Sequence, residues 1–358
     1  MTVEWLNEVL STSDTWTRGR VTSVGLRPIG GSDSLASDVS QLNAKVTTEN
    51  GQTHQINLLL KLSDPTAEPA YDHFYRAEAH FYNSFGSEAG ISIPETYFAK
   101  FDDATRRLVV LQEFLSDGQV GTDSVPLGLS DLRRMSSSLA GMHARWWDSE
   151  ELSKGTGVRT FGSLIERVCG NLLDRNLNQI GRFFAEVGDH VEERFVEYFR
   201  TMPEWMPLLL ARPPAHQTLI HMDCSAKNAF FPDNPSRPPI LFDWAFSHSG
   251  SPAYDLAVLF MTSMASEDRS MTRQLVDEHH ALLISNGIDG YTSGELWNEF
   301  QQGCMWRSYG MVVNAVSGDP ARVQHVRELL PRFQDSVAMV GGLEHAGDLV
   351  SGGQERDK

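Results

Sequence analysis

Apolar residues are spaced differently in the two parts of this sequence. Up to about residue 112 they form short alternating or continuous apolar runs, which are typical of β-strands. Between residues 70 and 85, Phe74, Ala77 and Phe81 instead recur at helical spacing, and Gly86 is the expected end of that helix. The pattern predicts a short helix over 3–10 and strands over 20–29, 37–48, 55–62, 96–101 and 107–112. We therefore expect a five-stranded antiparallel sheet with a helix after its third strand.

Beyond residue 118 the hydrophobic pattern becomes helical. Leu132, Met135 and Leu139 mark one face of a helix over 130–147. Further helices are predicted over 160–173, 178–200, 253–266, 270–286, 293–316 and 319–340, with Pro203, Pro207, Pro213 and Pro214 interrupting the run. The resulting α+β chain divides into an N-terminal lobe (1–112), a hinge (113–118), a helical lobe (119–345) and a flexible tail (346–358).

Oxygen-bearing side chains follow two short apolar runs in the second half of the chain. Asp223 and Asn228 come after Leu219-Ile220, and Asp243 comes directly after Ile240-Leu241-Phe242. Magnesium prefers hard oxygen ligands and keeps phosphate oxygens and waters in its other positions, so a protein supplies only one or two side chains. Asp243 and Asn228 are therefore candidate magnesium ligands, and Asp223 is left to meet a substrate hydroxyl.

A lysine and a glycine pair in the N-terminal lobe suit phosphate binding. Lys61 ends a continuously apolar strand and Glu78 lies on the next helix, so an ion pair would hold the ammonium towards phosphates. The alternative is a surface lysine with an unrelated glutamate. Gly30, Gly31 and Ser32 lie between two strands, where they form either a phosphate-covering loop or a plain turn.

Three segments in this order resemble a known family. They are His221-x-Asp223-x-x-x-x-Asn228, then Asp243-Trp244, then Gly250-Ser251-Pro252-Ala253-Tyr254-Asp255-Leu256-Ala257. Together they resemble the catalytic core of the aminoglycoside phosphotransferase and choline kinase superfamily. The segment Leu139–Trp147 is most similar to its ecdysteroid kinase-like branch. The resemblance implies a protein-kinase-like two-lobed fold and the ATP-dependent phosphorylation of a small-molecule hydroxyl.

The resemblance also implies roles for individual residues. Asp223 would be the catalytic carboxylate, His221 would brace its loop, and Asn228 and Asp243 would bind Mg²⁺. ATP would be held by the remaining candidates, namely Gly30, Gly31, Ser32, Lys61, Glu78 and the hinge residues Glu113 and Leu115.

Several positions are left open by this interpretation. Asp255 either stabilises the catalytic loop or caps its own helix. Met222 stands where aminoglycoside phosphotransferases usually carry glycine, and Lys227 is either a phosphate contact or a solvated loop lysine. His143 is more typical of a packed core residue than of a substrate contact, as are Trp146 and Trp147.

Composition restricts the partners of the protein. Thirty basic against 47 acidic residues give a net charge of −17, which argues against nucleic acid or an anionic membrane as the main partner. The three cysteines are widely spaced, so we expect neither disulfides nor a zinc site, and a reducing cytoplasm fits. We find neither a secretory leader nor an apolar stretch long enough to span a membrane.

Two other functions compete with the kinase hypothesis. One is a metal-dependent hydrolase that uses His216, His221, Asp223, Asp243 and His248, and the other is a catalytically silent nucleotide-binding module. For a kinase, the ecdysteroid kinase-like segment favours a bulky apolar alcohol as acceptor, whereas the acidic composition favours an amino alcohol or aminoglycoside. Four aromatic residues line either the acceptor pocket or the core: Trp205, Trp297, Trp306 and Tyr309. The sequence does not predict an oligomeric state.

Overall fold

The computed structural model describes residues 2–29, 37–64, 66, 69–153, 175–212 and 214–356. The chain forms two compact units. The first contains residues 1–119 and 230–247, and the second contains residues 120–229 and 248–358. The first unit is therefore completed by a segment that comes much later in the chain, whereas the sequence had suggested consecutive lobes.

The first unit is built on the predicted five-stranded antiparallel sheet. The strands are β1 (Arg20–Pro28), β2 (Ser37–Thr47), β3 (Thr53–Ser63), β4 (Thr96–Asp102) and β5 (Arg107–Glu113). Their order is β1-β2-β3-β5-β4 and each neighbouring pair is antiparallel. The fold class predicted from the apolar runs is confirmed for this unit.

Two helices accompany this sheet. Helix α1 (Val3–Ser11) begins at Thr2, whose side chain accepts a hydrogen bond from the backbone of Trp5, and it buries Leu6 and Leu10 in the core of the sheet. Helix α2 (Asp72–Ser84) follows β3, as its apolar spacing predicts. The core of the unit is completed by Leu42, Leu58, Leu60 and Leu111 from the strands.

The segment 230–247 belongs to the first unit through strands and ring packing. β6 (Gly118–Val120), β8 (Ala229–Pro232) and β9 (Ile240–Leu241) form a three-stranded sheet. The fully buried ring of Trp244 lies flat on Phe81 of α2, with ring centroids 3.8 Å apart and an angle of 4° between the planes. Phe246 packs on Phe74 of the same helix at 4.5 Å. These contacts attach the residues around Asp243 to α2.

The second unit is helical, as predicted. Its helices are α3 (Leu129–Arg145), Glu150–Ser153, Ile180–Val187, Glu193–Arg200, Met202–Leu210, Pro252–Ser263, Thr272–Ser285, Ser293–Ala315, Pro320–Met339 and Gly342–Arg356. β7 (Thr218–Ile220) and β10 (His248–Gly250) form a short antiparallel pair. The helix predicted over 160–173 lies outside the described residues. Across the described ranges, no helix is both long enough and apolar enough to cross a bilayer.

One expectation for this unit was wrong. Pro203 and Pro207 do not interrupt the helical run, since both lie within the helix Met202–Leu210; Pro203 is in its first turn, where its missing N–H has no partner to lose. Residues 346–356 belong to the helix Gly342–Arg356, in which Ala346 and Leu349 are buried. The flexible tail expected over 346–358 stays a prediction.

The central helix of the second unit, Pro252–Ser263, is buried along its whole length. It lies close to the helix Ser293–Ala315, because a Cβ atom at Gly303 would come within 2.7 Å of the Tyr254 ring and 2.9 Å of Ala257. Cys224 and Cys304 are free and buried in this unit, and Cys169 lies outside the described residues. The buried helix provides a rigid base for the loop that follows β7.

Candidate active site

Lys61 is bound by two carboxylates in the first unit. Its ammonium donates to both oxygens of Glu78, at 2.9 and 2.8 Å, and to Oδ1 of Asp243 at 3.0 Å. The side chains of Lys61 and Glu78 are 13% and 2% exposed, whereas that of Asp243 is 39% exposed. The ion pair expected between Lys61 and Glu78 is present, and Asp243 is a third member that the sequence did not predict.

The opposite charges of Lys61, Glu78 and Asp243 offset the free-energy cost of burying them. Burial disfavours the ammonium of Lys61, but the carboxylates of Asp243 and Glu78 outweigh it and raise the pKa of Lys61. Burial raises the pKa of Glu78 to about 7, although Lys61 opposes the rise. Lys61 therefore keeps its charge at neutral pH, which an interaction with phosphate oxygens requires.

The backbone at Asp243 is left-handed, with φ 62° and ψ 66°. This conformation costs a residue with a Cβ about 1–2 kcal/mol. The buried Trp244 that follows it is fixed against Phe81, which supplies packing energy to offset the strain. The strained residue thus directs a partly exposed carboxylate to Lys61.

Asp223 and Asn228 lie together in the loop after β7 of the second unit. The amide nitrogen of Asn228 donates to the backbone oxygen of Asp223 at 2.7 Å and to its Oδ2 at 2.9 Å. Both partners are acceptors, so the amide nitrogen of Asn228 must face them and its Oδ1 is turned away as a possible ligand oxygen. The Asp223 side chain is 20% exposed, so it is accessible to a substrate hydroxyl.

This loop is anchored to the buried helix Pro252–Ser263. Asp255 accepts hydrogen bonds from the backbone N–H of Met222 at 2.7 Å and of His221 at 3.0 Å. The cap of its own helix is Ser251, whose side chain accepts from Ala253. The alternative left open for Asp255 is thereby decided in favour of the loop.

The loop also carries strain and an internal hydrogen bond. Met222 is left-handed, with φ 65°, at the position where aminoglycoside phosphotransferases usually have glycine. The buried ring of His221 accepts through Nδ1 from the backbone N–H of Asp223 at 3.2 Å. His221 is in a position to brace the loop, as predicted, and its catalytic role stays a prediction.

The sequence itself matches a family model over residues 34–297, most of the chain, and the model is described as the phosphotransferase enzyme family. The chain belongs to this family. No curated protein sequence matches the phosphotransferase significantly.

Solved structures share the fold of the phosphotransferase at low identity. Aminoglycoside 2′-phosphotransferase-IIIa in a GDP complex is 15% identical, with a TM-score of 0.53 over 95% of this chain and 98% of that one. A macrolide 2′-phosphotransferase from Brachybacterium faecium is 16% identical, with a TM-score of 0.50 over 91% and 98%. An aminoglycoside phosphotransferase from Alicyclobacillus acidocaldarius is 11% identical, with a TM-score of 0.50 over 89% and 91%. At these identities the likeness concerns the fold alone.

Buried histidines extend the support of the loop that follows β7 in the phosphotransferase. His143 Nε2 lies 3.2 Å from Oδ2 of Asp255, and His143 Nδ1 lies 3.3 Å from Nε2 of His279. The other ring nitrogen of His279 lies 2.9 Å from the hydroxyl of Ser136. Burial opposes ionisation of Asp255, but hydrogen bonds and charge from His143 hold the pKa of Asp255 below its ordinary value. His143 is therefore both a core residue and a hydrogen-bonding partner.

Arg307 is a residue near Asp223 that sequence reasoning missed. Its Nη2 lies 3.5 Å from Oδ1 of Asp223. An arginine among the apolar and aromatic residues of Met305–Val313 was the available signal, because a charged residue in a largely buried helix usually faces a partner or a site. Trp205 is fully buried and serves the core, and Tyr309 is also buried.

For some residues predicted to contact the nucleotide, the structure of the phosphotransferase does not test the prediction. Gly30, Gly31 and Ser32 lie outside the described residues. Glu113 ends β5 and accepts through Oε1 from the backbone of Glu95 at 2.9 Å, and Leu115 follows it, partly exposed. The nucleotide-binding roles of Glu113 and Leu115 stay predictions.

The residues proposed for a metal-dependent hydrolase do not gather into one site. His216 lies 2.6 Å from Asp148 and packs on Trp147, and His221 is directed at its own loop. Within the described part of the chain, no group of three or more His, Cys, Asp or Glu side chains is arranged to hold a metal ion. A magnesium site made of one Asp and one Asn needs no such group. The structure gives the hydrolase hypothesis no support.

Proposed function

We propose that the protein is an ATP-dependent kinase that transfers the γ-phosphoryl group to a hydroxyl of a small molecule. The observation that carries this proposal is the binding of Lys61 by Glu78 and Asp243, in a chain that belongs to a phosphotransferase family. A fixed lysine is the group that phosphoryl transfer uses to hold the α- and β-phosphates. A solved relative of the same fold is a complex with GDP, which supports a nucleotide substrate.

In the proposed reaction, the acceptor hydroxyl forms a bond to the γ-phosphorus while the bond to the bridging oxygen breaks. The electron pair of the broken bond leaves with ADP, and the hydroxyl proton passes to the carboxylate of Asp223. Asn228 keeps one oxygen of Asp223 oriented through its amide nitrogen. A carboxylate suffices as the proton acceptor, because proton removal comes late in a loose transition state.

The donor set also fits magnesium. Asp243 supplies a partly exposed carboxylate and Asn228 an amide oxygen that is turned away from Asp223. Bound Mg²⁺ would neutralise charge on the β- and γ-phosphate oxygens. The assignment of Asp243 and Asn228 as its ligands is part of the proposal.

Three finer features belong to the same proposal. The segment Leu139–Trp147 supports a relationship to the ecdysteroid kinase-like branch. The buried free thiols of Cys224 and Cys304 support a reducing cytoplasm as the location. The solved relatives named for aminoglycosides and macrolides support a small-molecule acceptor.

The proposal is tested by calorimetric titration with a non-hydrolysable ATP analogue, with and without Mg²⁺. We expect magnesium-dependent binding that is weakened at least roughly tenfold in Asp243→Ala, because the variant loses a charged ligand of the metal. Asp233→Ala is the matched control, since Asp233 is an exposed carboxylate in the same segment 230–247.

Unchanged affinity in Asp243→Ala would contradict the metal-ligand assignment. If the wild-type protein bound no analogue under either condition, the kinase proposal itself would be wrong. A protein that binds the analogue but never consumes ATP with any hydroxyl acceptor would be the silent nucleotide-binding module.

A further inference from the structure

The charge around Asp223 is set by basic residues of the second unit. Arg307 projects from the helix Ser293–Ala315, and its guanidinium lies 3.5 Å from the carboxylate. The helix leaves room for this guanidinium at Gly310, where a Cβ atom would lie only 3.1 Å from Nη1 of Arg307. The position of the guanidinium beside the catalytic carboxylate is therefore built into the helix.

Arg307 has unused hydrogen-bonding capacity. A guanidinium has five N–H donors in a planar fork. In an arginine with a purely structural role, several of these donors normally have hydrogen-bond acceptors. Within the described residues, Arg307 makes one ion pair, at 3.5 Å, and its buried Nε has no hydrogen-bond partner. The 26% exposure of the side chain leaves part of this fork accessible to a ligand. An unsatisfied arginine beside a catalytic group is suited to bind an oxyanion.

The other charges nearby do not offer a place for a cation. Lys227 lies 3.3 Å from Oδ2 of Asp123, so the charge of Asp123 is matched. Oδ1 of Asp123 is buried and has no hydrogen-bond partner in the described part of the chain, and Nη1 of Arg332 donates to the backbone oxygen of Asp123 at 3.0 Å. Lys227 and Asp123 therefore balance each other, and Arg307 is the basic residue that contacts Asp223 itself.

We propose that the acceptor carries an anionic group, a carboxylate or a phosphate, close to its reactive hydroxyl, and that Arg307 binds this group. The inference rests on the proposed kinase function and specifies its acceptor class. A group bound by Arg307 lies within reach of a hydroxyl that approaches Asp223, because the two side chains are in contact. A cationic acceptor would instead meet the guanidinium of Arg307 as a like charge. The overall acidity of the chain had favoured an amino alcohol, but the side chain in contact with Asp223 is basic.

The test compares matched acceptors in the full-length protein with MgATP. The anionic probes are gluconate, glycerate and glucose 6-phosphate, their neutral counterparts are gluconamide, glyceramide and glucose, and the cationic probes are ethanolamine and kanamycin. We expect kcat/KM for at least one anionic probe to exceed that of its neutral counterpart by roughly 10- to 100-fold, the usual effect of a hydrogen bond to a charged group. Preference for the carboxylates or for the phosphate identifies which oxyanion is bound.

Substitution of Arg307 separates binding of the acceptor from a structural role. In Arg307→Met the preference for the anionic probe over its neutral counterpart should fall to about onefold, whereas Arg307→Lys should keep part of it because the charge remains without the fork. Arg200→Met should retain the full preference, because Arg200 is 63% exposed and its ion pair in the described part of the chain is with Glu197, one turn away on the same helix. The ratio is measured within each variant, so a general loss of folded protein does not change it.

Several outcomes would overturn the inference while leaving the kinase proposal intact. They are a preference for the cationic probes, equal loss of anionic and neutral turnover in Arg307→Met, and binding of MgATP without binding or phosphorylation of any anionic probe at millimolar concentration. Equal loss would assign Arg307 to the transferred phosphoryl group instead. Absence of MgATP binding by the wild-type protein would overturn the kinase proposal itself.

Discussion

The two carboxylates to which the proposal gives roles in the reaction, Asp223 in the second unit and Asp243 in the first, are held in different ways. Asp243 is itself left-handed and forms a 3.0 Å ion pair with Lys61. Asp223 follows a left-handed residue, and its loop is held through backbone hydrogen bonds to the buried Asp255. The first carboxylate is thus fixed by charge. The second is fixed through its backbone, and among the described residues its oxygens contact Asn228 and, at a longer distance, Arg307.

This difference matches the chemistry proposed for each residue. A metal ligand works with its full negative charge, so a neighbouring ammonium that keeps it ionised is compatible with its role. A proton acceptor has to gain a proton during the reaction, and a strong, close ion pair would oppose that gain. The loop of Asp223 is positioned through its backbone, and the ion pair of Asp223 with Arg307 is longer, at 3.5 Å, than the 3.0 Å pair of Asp243 with Lys61.

The largest effect is expected from Asp223→Asn, which removes the proton acceptor and keeps the shape of the side chain. Turnover should fall by about 10²–10⁴, the usual contribution of a general base. Affinity for MgATP should change by less than about threefold, because Asn228 still finds an acceptor oxygen. Comparable turnover in the variant, measured by ATP consumption with an accepted hydroxyl compound, would remove Asp223 from the reaction.

Asp255→Ala should reduce stability by about 3–5 kcal/mol, because it removes one member of a buried charged network and leaves two backbone N–H groups unpaired. The free energy of unfolding in urea measures this loss. Ser251→Ala, which removes the cap of the same helix and a hydrogen bond to the buried Glu299, is the comparison and should cost less, about 2 kcal/mol. Equal losses in the two variants would show that Asp255 acts on its helix rather than on the loop.

Lys61→Met should have a smaller effect on stability, about 3 kcal/mol at most, because Glu78 can take up a proton when its partner is lost. Affinity for MgATP should fall by roughly 10-fold or more, since a charged contact to phosphate is removed. The double variant Lys61→Met/Glu78→Gln should recover stability, because the buried carboxylate is gone, but should not recover nucleotide binding. Recovery of both would make the ion pair purely structural.

Local pattern in the sequence predicts most of the fold and part of the site. The apolar run that ends in Lys61 and the helical spacing around Glu78 place both residues on neighbouring elements, and the structure contains their ion pair. The same spacing identifies the helix Ser293–Ala315 almost to its ends. These features depend on residues close together in the chain, which is what periodicity reports.

The sequence did not predict contacts between residues that are far apart in the chain. Asp243 meets Lys61 across 182 residues, and His279 meets His143 across 136. The local sequence around Asp243 does not indicate whether its partner is a lysine or a metal ion. The strained backbone conformations of Asp243 and Met222 are likewise known from the structure and not from the sequence. The prolines of the helix Met202–Leu210 led to a wrong prediction for a related reason. A proline breaks a helix or is tolerated in it depending on its position within the helix.

The segment 230–247 also affects the order in which the protein can be completed during synthesis. A nascent chain that has reached residue 119 already contains every strand of the five-stranded sheet together with Lys61 and Glu78. It still lacks Trp244, whose ring covers Phe81, and Asp243, which contacts Lys61. The first unit therefore leaves the ribosome with an uncovered aromatic face, and its final packing waits until residues 120–229 and then the segment 230–247 have been translated.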